Sequence, residues 1–599
     1  MAAIEAAKSA FVGLTQADLR EAKENLAAAV PRLDAKLDAA GEVSQGWREY
    51  LMWEKMRQEL AKEEPDLAVF DAVYLRYTSG RDGLQYAMFD EVRGQLRQYL
   101  VVARAIDDKE LESRYRQILE LLAARLTAYS ENPNPDDAQV ISDAIRWLRE
   151  AEQAGWIVEA VRRRFGAINL SIGASSDLIA AMLGKTVDEV TPVEDCILGT
   201  AVRGTGHAVG AVSVELIPSD AAGAIDMILR SDTATNTIGY NGPVRIYSDG
   251  TTRSASRKRL LLTGEGLSPL PAVTSAVTDN QIRGISAGGR RLIEKFARRT
   301  AARQEPLAEQ IAARHAERQI SDRFDEQAAE QAANANRDYQ DKIRRPMVLR
   351  GLFPPILDIS TTRESLQVEA LQASAAFHLA ASTAPPATNG KTDLSVRVHE
   401  SAINNYAEGF YGGRIVSEEQ MQQDIADLLG YLPDRFKSPA GEELWSIAFA
   451  ERQPISVAFQ SGGFRMTIRG DSYTKGQSEY PGMIVTAHYR IENSSGDFRA
   501  VRQGELEIFP PGFSPDGGQR LSTREQVLRS MLQRRFNEVF PGEIVPEPIV
   551  PTGDQAANVG KLVLEDWQAT PGWMILGWKR VPPEPEAAGT STVAANGSR

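Results

Sequence analysis

The chain has 599 residues, of which 42% are apolar and 25% charged, and its net charge is −13. This length exceeds what one hydrophobic core supports, so several globular domains are expected. The acidic balance disfavours a general nucleic-acid binder, because such proteins present a basic surface to the phosphates.

The sequence carries few signals of its location. No run of roughly 18 apolar residues occurs, so no transmembrane segment is expected, and the start, MAAIEAAKSAFVG, lacks the features of a signal peptide. The single cysteine, Cys196, excludes an intramolecular disulfide. Two settings stay open: the cytoplasm, or a bacterial extracytoplasmic compartment if an export signal has been removed. Scarce thiols favour the exported protein.

Residues 1–165 predict an all-α domain. Helix start signals occur at Thr15 and at Pro135, and an apolar stripe recurs at helical spacing between Leu111 and Leu126. No repeat period typical of a helical solenoid is visible.

Residues 166–290 predict a first antiparallel β-rich module. Segments such as AVSVELIP, AIDMILRSD and GPVRIYSDG alternate with period two between turn residues. Residues 291–350 then predict a long helix or connector, interrupted at Pro306, whose thin apolar stripe fits packing along a neighbouring element.

The remainder predicts a second β-rich module. A β segment at 351–381 joins it, a loop follows at 382–393, the module itself occupies 394–581, and residues 582–599 predict a disordered tail. The predicted fold class is therefore α+β: an N-terminal all-α domain followed by two antiparallel β-rich modules with long packed helices.

The motifs of common enzymes are incomplete. The stretch HESAINN would need a second histidine at position 403 to bind zinc, and that residue is Ile403. The glycines of RGTGHAVG precede an alternating strand and not a helix, which disfavours a nucleotide loop. We therefore expect no metal and no cofactor.

His399, Glu400 and Ser401 are adjacent and offer a hydrolase alternative. A catalytic triad depends on geometry, and consecutive residues on a strand point to opposite faces, so adjacency disfavours a shared hydrogen-bond chain. We expect instead a corner between a strand and a helix, with Ser401 as the helix N-cap.

Ligand contact at this corner is the remaining possibility. The candidate ligand-binding residues are His399, Glu400, Asn404 and Asn405. The segment NLSIGASSDLIAAMLG repeats the outline: Ser171, Ile172, Asp177 and Ile179 match Ser395, Val396, Ser401 and Ile403 at equal spacing. This pattern predicts an internal repeat of two related modules.

The elements at this corner follow a set order: a strand, a polar corner, a helix with an apolar-Asn step at Ile403-Asn404, and then a twisted meander. This order resembles the tubular lipid-binding (TULIP) modules of the bactericidal/permeability-increasing protein family, which occur in tandem. The resemblance covers about 165–290 and 355–540, and the disulfide of that family is absent. It implies a sheet wrapped on a helix, with an apolar groove for lipid acyl chains.

Three hypotheses for function follow. The first is a non-enzymatic protein that binds a lipid or other hydrophobic ligand between sheet and helix. The second is a scaffold that assembles with a protein partner or as a homo-oligomer through its helical regions. The third is the hydrolase using His399 and Ser401.

Overall fold

The computed structural model describes residues 2–39, 41, 43–81, 83–106, 108–375, 377–429, 432–437, 445–494, 496–514, 518–551 and 558–583. Within these residues an N-terminal helical region precedes three antiparallel sheets. The predicted α+β class is therefore confirmed. None of the helices in the described ranges has the length and apolar character needed to cross a membrane.

The N-terminal region consists of helices joined by short turns. Asp66 and Asn134 cap two of them by accepting backbone N–H groups, as N-cap residues commonly do. The helices are α1 (Ala2–Lys8), α2 (Gln16–Ala39), α3 (Val43–Tyr50), α4 (Trp53–Leu60), α5 (Leu67–Tyr77), α6 (Asp90–Ala105), α7 (Leu111–Glu131), α8 (Pro135–Glu150) and α9 (Gly155–Arg164).

Two apolar clusters hold these helices together. One joins α2 to α6 through side chains such as Leu26 and Phe70, and the other joins α1, α7, α8 and α9 around Tyr115 and Ile145. The second cluster also includes Leu379, from the segment predicted to join the second module, so it attaches the helical region to the β-rich part.

The first sheet contains very long, strongly paired strands. Its strands are β2 (Lys185–Ile197), β3 (Thr200–Ile217), β4 (Gly223–Asn241), β5 (Val244–Thr263), β6 (Gly266–Pro269) and β7 (Val273–Ser286). They follow the order β2-β3-β4-β5-β6, with β7 also paired to β5. The segment AIDMILRSD, predicted as a short strand, is the first half of β4.

One long helix runs along this sheet. Helix α11 (Arg291–Tyr339) continues through a π-helical turn (Gln340–Arg344) into α12 (Arg345–Leu349). The predicted interruption at Pro306 is wrong, because Pro306 lies inside α11. Pro306 and Ala302 are both exposed, so the carbonyl that proline leaves without its helical partner faces water.

A central sheet joins the modules. It contains β1 (Leu170–Ser175), β8 (Ile356–Thr361), β9 (Ser365–Leu371), β10 (Leu394–His399), β19 (Lys561–Thr570) and β20 (Trp573–Val581). The order is β19-β20-β10-β1-β9-β8, and helices α10 (Ser176–Leu183) and α13 (Glu400–Tyr411) follow β1 and β10. Strands from both predicted modules thus share one sheet, while the domain boundaries themselves stay a prediction.

The third sheet is covered by its own helix. It contains β11 (Ile415–Ser417), β12 (Trp445–Phe449), β13 (Ile455–Gln460), β14 (Gly463–Lys475), β15 (Ser478–Ser494), β16 (Asp497–Arg502), β17 (Glu507–Phe509) and β18 (Glu543–Ile544), with helices α14 (Glu418–Leu429) and α15 (Thr523–Val539). Leu532 and Phe536 of α15 share a core with Val485 and Tyr489 of β15. Val485 and Tyr489 are buried, and they lie on the face of β15 that packs against α15.

Two predictions concern irregular segments. Residues 382–393 contain no helix or strand, which confirms the predicted loop. Most of the predicted disordered tail, from residue 584 onward, lies outside the described residues.

Candidate functional site

A cavity of about 800 Å³ lies between the first sheet and α11. Its walls come from β2, β3, β4, β5 and β7 on one side and from the middle of α11 on the other. The volume falls within the range of about 300–1,000 Å³ that small-molecule sites occupy.

Small side chains at inward positions keep this space open. On the sheet, Gly206 and Ala208 of β3 line the cavity, and on the helix Ala308, Ala312 and Ala316 face them. None of these side chains is larger than a methyl group, so sheet and helix cannot interdigitate there as they do in a close-packed core.

The middle of the wall is rich in hydroxyl groups. Thr233 of β4 pairs with Thr252 of β5, which pairs with Thr278 of β7, and Thr235 lies two residues further along β4. All four line the cavity. We call Thr233, Thr235, Thr252 and Thr278 the threonine belt.

Apolar side chains line the cavity on both sides of the threonine belt. The end near the central sheet has Val212, Leu229, Ile320 and Phe324, and the far end has Ile197, Leu198, Val202, Ile246 and Ile282. The far end also has Thr237 and Ser248, whose hydroxyls bond to each other at 3.1 Å. The cavity is therefore mainly apolar at its ends and hydrogen-bonding in its middle.

Carboxylates of α11 bind the edge of β7 and the residue just before it. The backbone N–H groups of Ala272, Ala276 and Asn280 donate to acidic side chains of α11 at 2.8, 3.0 and 2.9 Å. The acceptors, in the same order, are Asp325, Glu317 and Glu309.

The spacing of these bonds explains why the helix lies along the strand. Eight helical residues rise about 12 Å and four strand residues span about 13 Å, so each step of eight on α11 matches a step of four on β7. The bonds satisfy backbone donors of an edge strand, and they position α11 without large side chains filling the cavity.

The opposite edge, at β2, meets α11 through an arginine–glutamate ion pair and a histidine–aspartate contact. Arg323 Nη2 lies 2.5 Å from Glu189 Oε2, and His315 Nδ1 lies 2.7 Å from Asp195 Oδ1. The Arg323 and Glu189 side chains are about half exposed, so their attraction is screened by water. The seam between β2 and α11 is therefore the weaker of the two.

The predicted ligand residues lie elsewhere, at the junction of β10 and α13. His399 caps α13: its Nδ1 accepts the backbone N–H of Ser401 at 3.2 Å. The prediction that Ser401 is the N-cap is wrong, because α13 already begins at Glu400. Burial disfavours the imidazolium and lowers the pKa of His399 to about 4, so its ring is neutral at neutral pH.

The Glu400 side chain binds β13. Its Oε2 accepts the backbone N–H of Phe459 at 2.9 Å, and its Oε1 has no hydrogen-bond partner within the described ranges. Burial raises the pKa of Glu400 to about 8, so the carboxyl group is mainly protonated at neutral pH.

The two asparagines bind backbone groups. Asn404 donates to the carbonyl of Val457 at 3.0 Å and accepts its N–H at 2.7 Å. Asn405 Nδ2 donates to the carbonyls of Gln372 and Leu379, both at 2.9 Å. These bonds fasten α13 to β13 and to the segment after β9.

A small cavity adjoins this corner. It measures about 30 Å³ and is lined by Glu400, Asn404 and Asn405, together with Tyr129 and Gln453. That volume is on the scale of water and not of an organic ligand. None of the four predicted residues lines the large cavity, and their role as ligand contacts stays a prediction.

The serine and the histidine that the hydrolase alternative requires are in contact. His399 Nδ1 lies 2.9 Å from Ser401 Oγ, because Ser401 sits in the first turn of α13 and not on the strand as the sequence argument assumed. Ser401 Oγ also accepts from Asn169 Nδ2 at 3.0 Å, and both members of the pair are buried. Glu400, the third residue of the supposed triad, binds Phe459 instead.

Sequence reasoning missed the threonine belt and the alanines of α11. A signal was present, because inward positions of β4 read Ser231, Thr233, Thr235 and Thr237. Small polar residues at every second position of a strand indicate a wall that no side chain fills. Among the described residues, no group of three or more His, Cys, Asp or Glu side chains could hold a metal ion.

Comparison with known proteins adds little. No family model matches the chain, and no curated protein matches it. A search of solved structures finds a weak resemblance to a chain titled "Crystal structure of lipopolysaccharide binding protein", with 9% sequence identity and a TM-score of 0.24. The match covers 70% of this chain and 100% of that one.

Proposed function

We propose that this chain binds a lipid or another molecule with long apolar parts in the cavity between the first sheet and α11. The observation that carries the proposal is the cavity itself, of about 800 Å³, bounded on both sides by regular secondary structure. A cavity with this volume and with apolar ends is typical of a small-molecule site.

The attachment of α11 to β7 supports the same conclusion. Backbone bonds from β7 fix α11 through Glu309, Glu317 and Asp325, so the space does not require a filled core to keep its shape. A hydrocarbon chain that enters the apolar ends leaves water, which stabilises the complex by about 0.8 kcal/mol for each buried CH₂ group.

The proposal includes an extracytoplasmic location. It is supported by the scarcity of thiols, since Cys196 is the single cysteine of the sequence. Fractionation of cells that produce the native gene product tests it: recovery in the cytoplasmic fraction alone would contradict this part.

The first test is native mass spectrometry of full-length protein purified without detergent, followed by organic extraction. We expect a bound species of lipid-like mass that extraction releases. Protein that is ligand-free, and that also takes up no added amphiphile, would contradict the proposal.

A matched pair of variants localises the binding. Ala312→Trp places an indole in the cavity, whereas Ala329→Trp adds the same side chain at an exposed position of α11 outside the lining. We expect Ala312→Trp to weaken amphiphile binding at least tenfold and Ala329→Trp to leave it unchanged. Equal affinities in the two variants would show that binding occurs elsewhere.

A further inference from the structure

The hydroxyl groups in the middle of the cavity are only partly satisfied by the protein. The hydroxyls of Thr252 and Thr278 lie 2.9 Å apart and bond to each other. Those of Thr233 and Thr235 have no hydrogen-bond partner in the part of the chain that the structure describes, and both side chains face the cavity. The threonine belt therefore offers donors and acceptors to whatever occupies the middle of the cavity.

A pure hydrocarbon fits the apolar ends but not this middle. If a chain of CH₂ groups covered Thr233 and Thr235, their hydroxyls would lose water and gain nothing in return. Leaving a buried polar group unpaired is unfavourable, whereas a ligand hydroxyl beside each threonine restores the lost bond.

Acidic residues outnumber basic residues around the cavity. Six acidic residues line it against two basic ones; the acidic residues are Asp188, Glu189, Glu194, Asp195, Glu305 and Glu309, and the basic ones are Lys185 and Arg323. Arg323 is paired with Glu189, and Glu194 lies 3.9 Å from Arg203 outside the lining, so four carboxylates and Lys185 remain. A ligand with a phosphate, sulfate or carboxylate group would meet like charges, which disfavours binding.

Building on the proposed function, we propose that the ligand is a neutral amphiphile whose polar part is hydroxylated, such as a sugar or polyol head, and that the cavity discriminates against anionic lipids. The hydroxylated part lies against the threonine belt, and the hydrocarbon part occupies an apolar end. Thr233 and Thr235 are the residues that set this preference.

Three probes with the same dodecyl chain test the ligand class in full-length protein. They are dodecyl maltoside (neutral and hydroxylated), dodecanoate (anionic) and dodecyltrimethylammonium (cationic without donors), each titrated below its micelle concentration. We expect dodecyl maltoside to bind at least tenfold more tightly than either of the others. Equal or tighter binding of dodecanoate or of the cation would overturn the proposal.

Paired variants test the role of the hydroxyls. In Thr233→Val/Thr235→Val the shape of the side chains is kept and the hydroxyls are removed, while Thr251→Val makes the same change on the exposed face of β5. The double variant should lose at least tenfold in maltoside affinity, and the control should lose nothing. Unchanged selectivity in the double variant would show that the hydroxyls of the threonine belt do not set the ligand preference.

The Ala312→Trp variant distinguishes an error in the ligand class from an error in the location of the binding site. If it blocks all three probes but dodecanoate binds the parent protein best, the cavity is the site and the ligand class is wrong. If it blocks none of them, binding occurs outside the cavity, and the proposed function fails together with this inference.

Discussion

Ile172 of β1 pairs directly with Val396 of β10 at the centre of the central sheet. The pairing is symmetric about these two residues, since Leu170 lies opposite Val398 and Ala174 lies opposite Leu394. The next strands follow the same order, with β9 beside β1 and β20 beside β10. The internal repeat stays a prediction, and a two-fold arrangement of this kind is what a duplicated module would produce.

Glu400→Gln should remove a pH dependence from the stability of the fold. The pKa of Glu400 is about 8 in the folded state against 4.5 ordinarily, so between these values the unfolded chain releases a proton that the folded chain keeps. This contribution to stability is complete below about pH 4.5 and is lost as the pH rises through about 8. The loss is of the order of several kcal/mol.

Thermal unfolding between pH 5 and pH 8.5 measures this effect. We expect the midpoint of the wild type to fall with rising pH more steeply than that of Glu400→Gln, which keeps an acceptor for the Phe459 N–H. Glu330→Gln, at an exposed position of α11, is the control and should follow the wild type. Parallel curves for all three proteins would contradict the assignment of a protonated Glu400.

His399 should have the opposite pH effect. Burial lowers its pKa to about 4 from 6.5, so its contribution to stability is present above about pH 6.5 and is lost as the pH falls through about 4. His399→Asn keeps an N-cap acceptor without a titrating ring, and it should reduce the loss of stability on acidification.

The variant His399→Ala distinguishes the role of His399 as a helix cap from the effect of its titration. His399→Ala removes the cap and should destabilise the protein by about 1–2 kcal/mol more than His399→Asn at pH 7, as read from denaturant unfolding. Hydrogen exchange at the first turn of α13 should be faster in the alanine variant alone. Equal exchange in both variants would show that His399 does not act as the cap.

The sequence predicted more of the fold than of the site. Alternation predicted strand structure in segments such as AIDMILRSD, which lies in β4, but it did not predict how far that strand extends. Pairing between β1 and β10 was not predictable from local pattern, since it joins residues that are far apart in sequence. The site prediction focused on His399 because its chemistry is conspicuous, whereas the large cavity results from side chains that are small, such as Ala312 and Thr233.

Glu317 should contribute to stability through its acceptor oxygen and not through its charge. It accepts the N–H of Ala276 at 3.0 Å, so Glu317→Gln keeps an acceptor and should be nearly neutral. Glu317→Ala leaves that donor on an edge strand without its partner and should cost about 1 kcal/mol.

Hydrogen exchange of the Ala276 amide is the direct measurement. It should accelerate in Glu317→Ala and stay close to wild type in Glu317→Gln. Equal acceleration in both variants would mean that charge, and not the hydrogen bond, attaches α11 to β7.

Removing the Asp325 carboxylate should strongly destabilise the folded protein, because Lys258 is buried beside it. The Lys258 ammonium group bonds to Asp325 and to the carbonyl of Leu270, and the lysine is 2% exposed. Asp325→Ala leaves that charge without its counterion and should cost about 3 kcal/mol or more.

A double-mutant cycle completes this test. Lys258→Met/Asp325→Ala removes both charges and should regain part of the stability lost in Asp325→Ala, as measured by the denaturant midpoint. With the single variant Lys258→Met completing the cycle, losses in the two single variants that add up to the loss in the double variant would show that the two residues are not coupled as a buried pair.

The shared central sheet has a consequence for synthesis on the ribosome. Strand β1 ends at Ser175, yet its two neighbours, β9 and β10, begin at Ser365 and Leu394. At 5–20 residues per second, the ribosome needs about 10 to 40 s to supply even the first of them. During that time both backbone edges of β1 lack their final partners, which makes the nascent chain prone to wrong pairing and a natural client for chaperones.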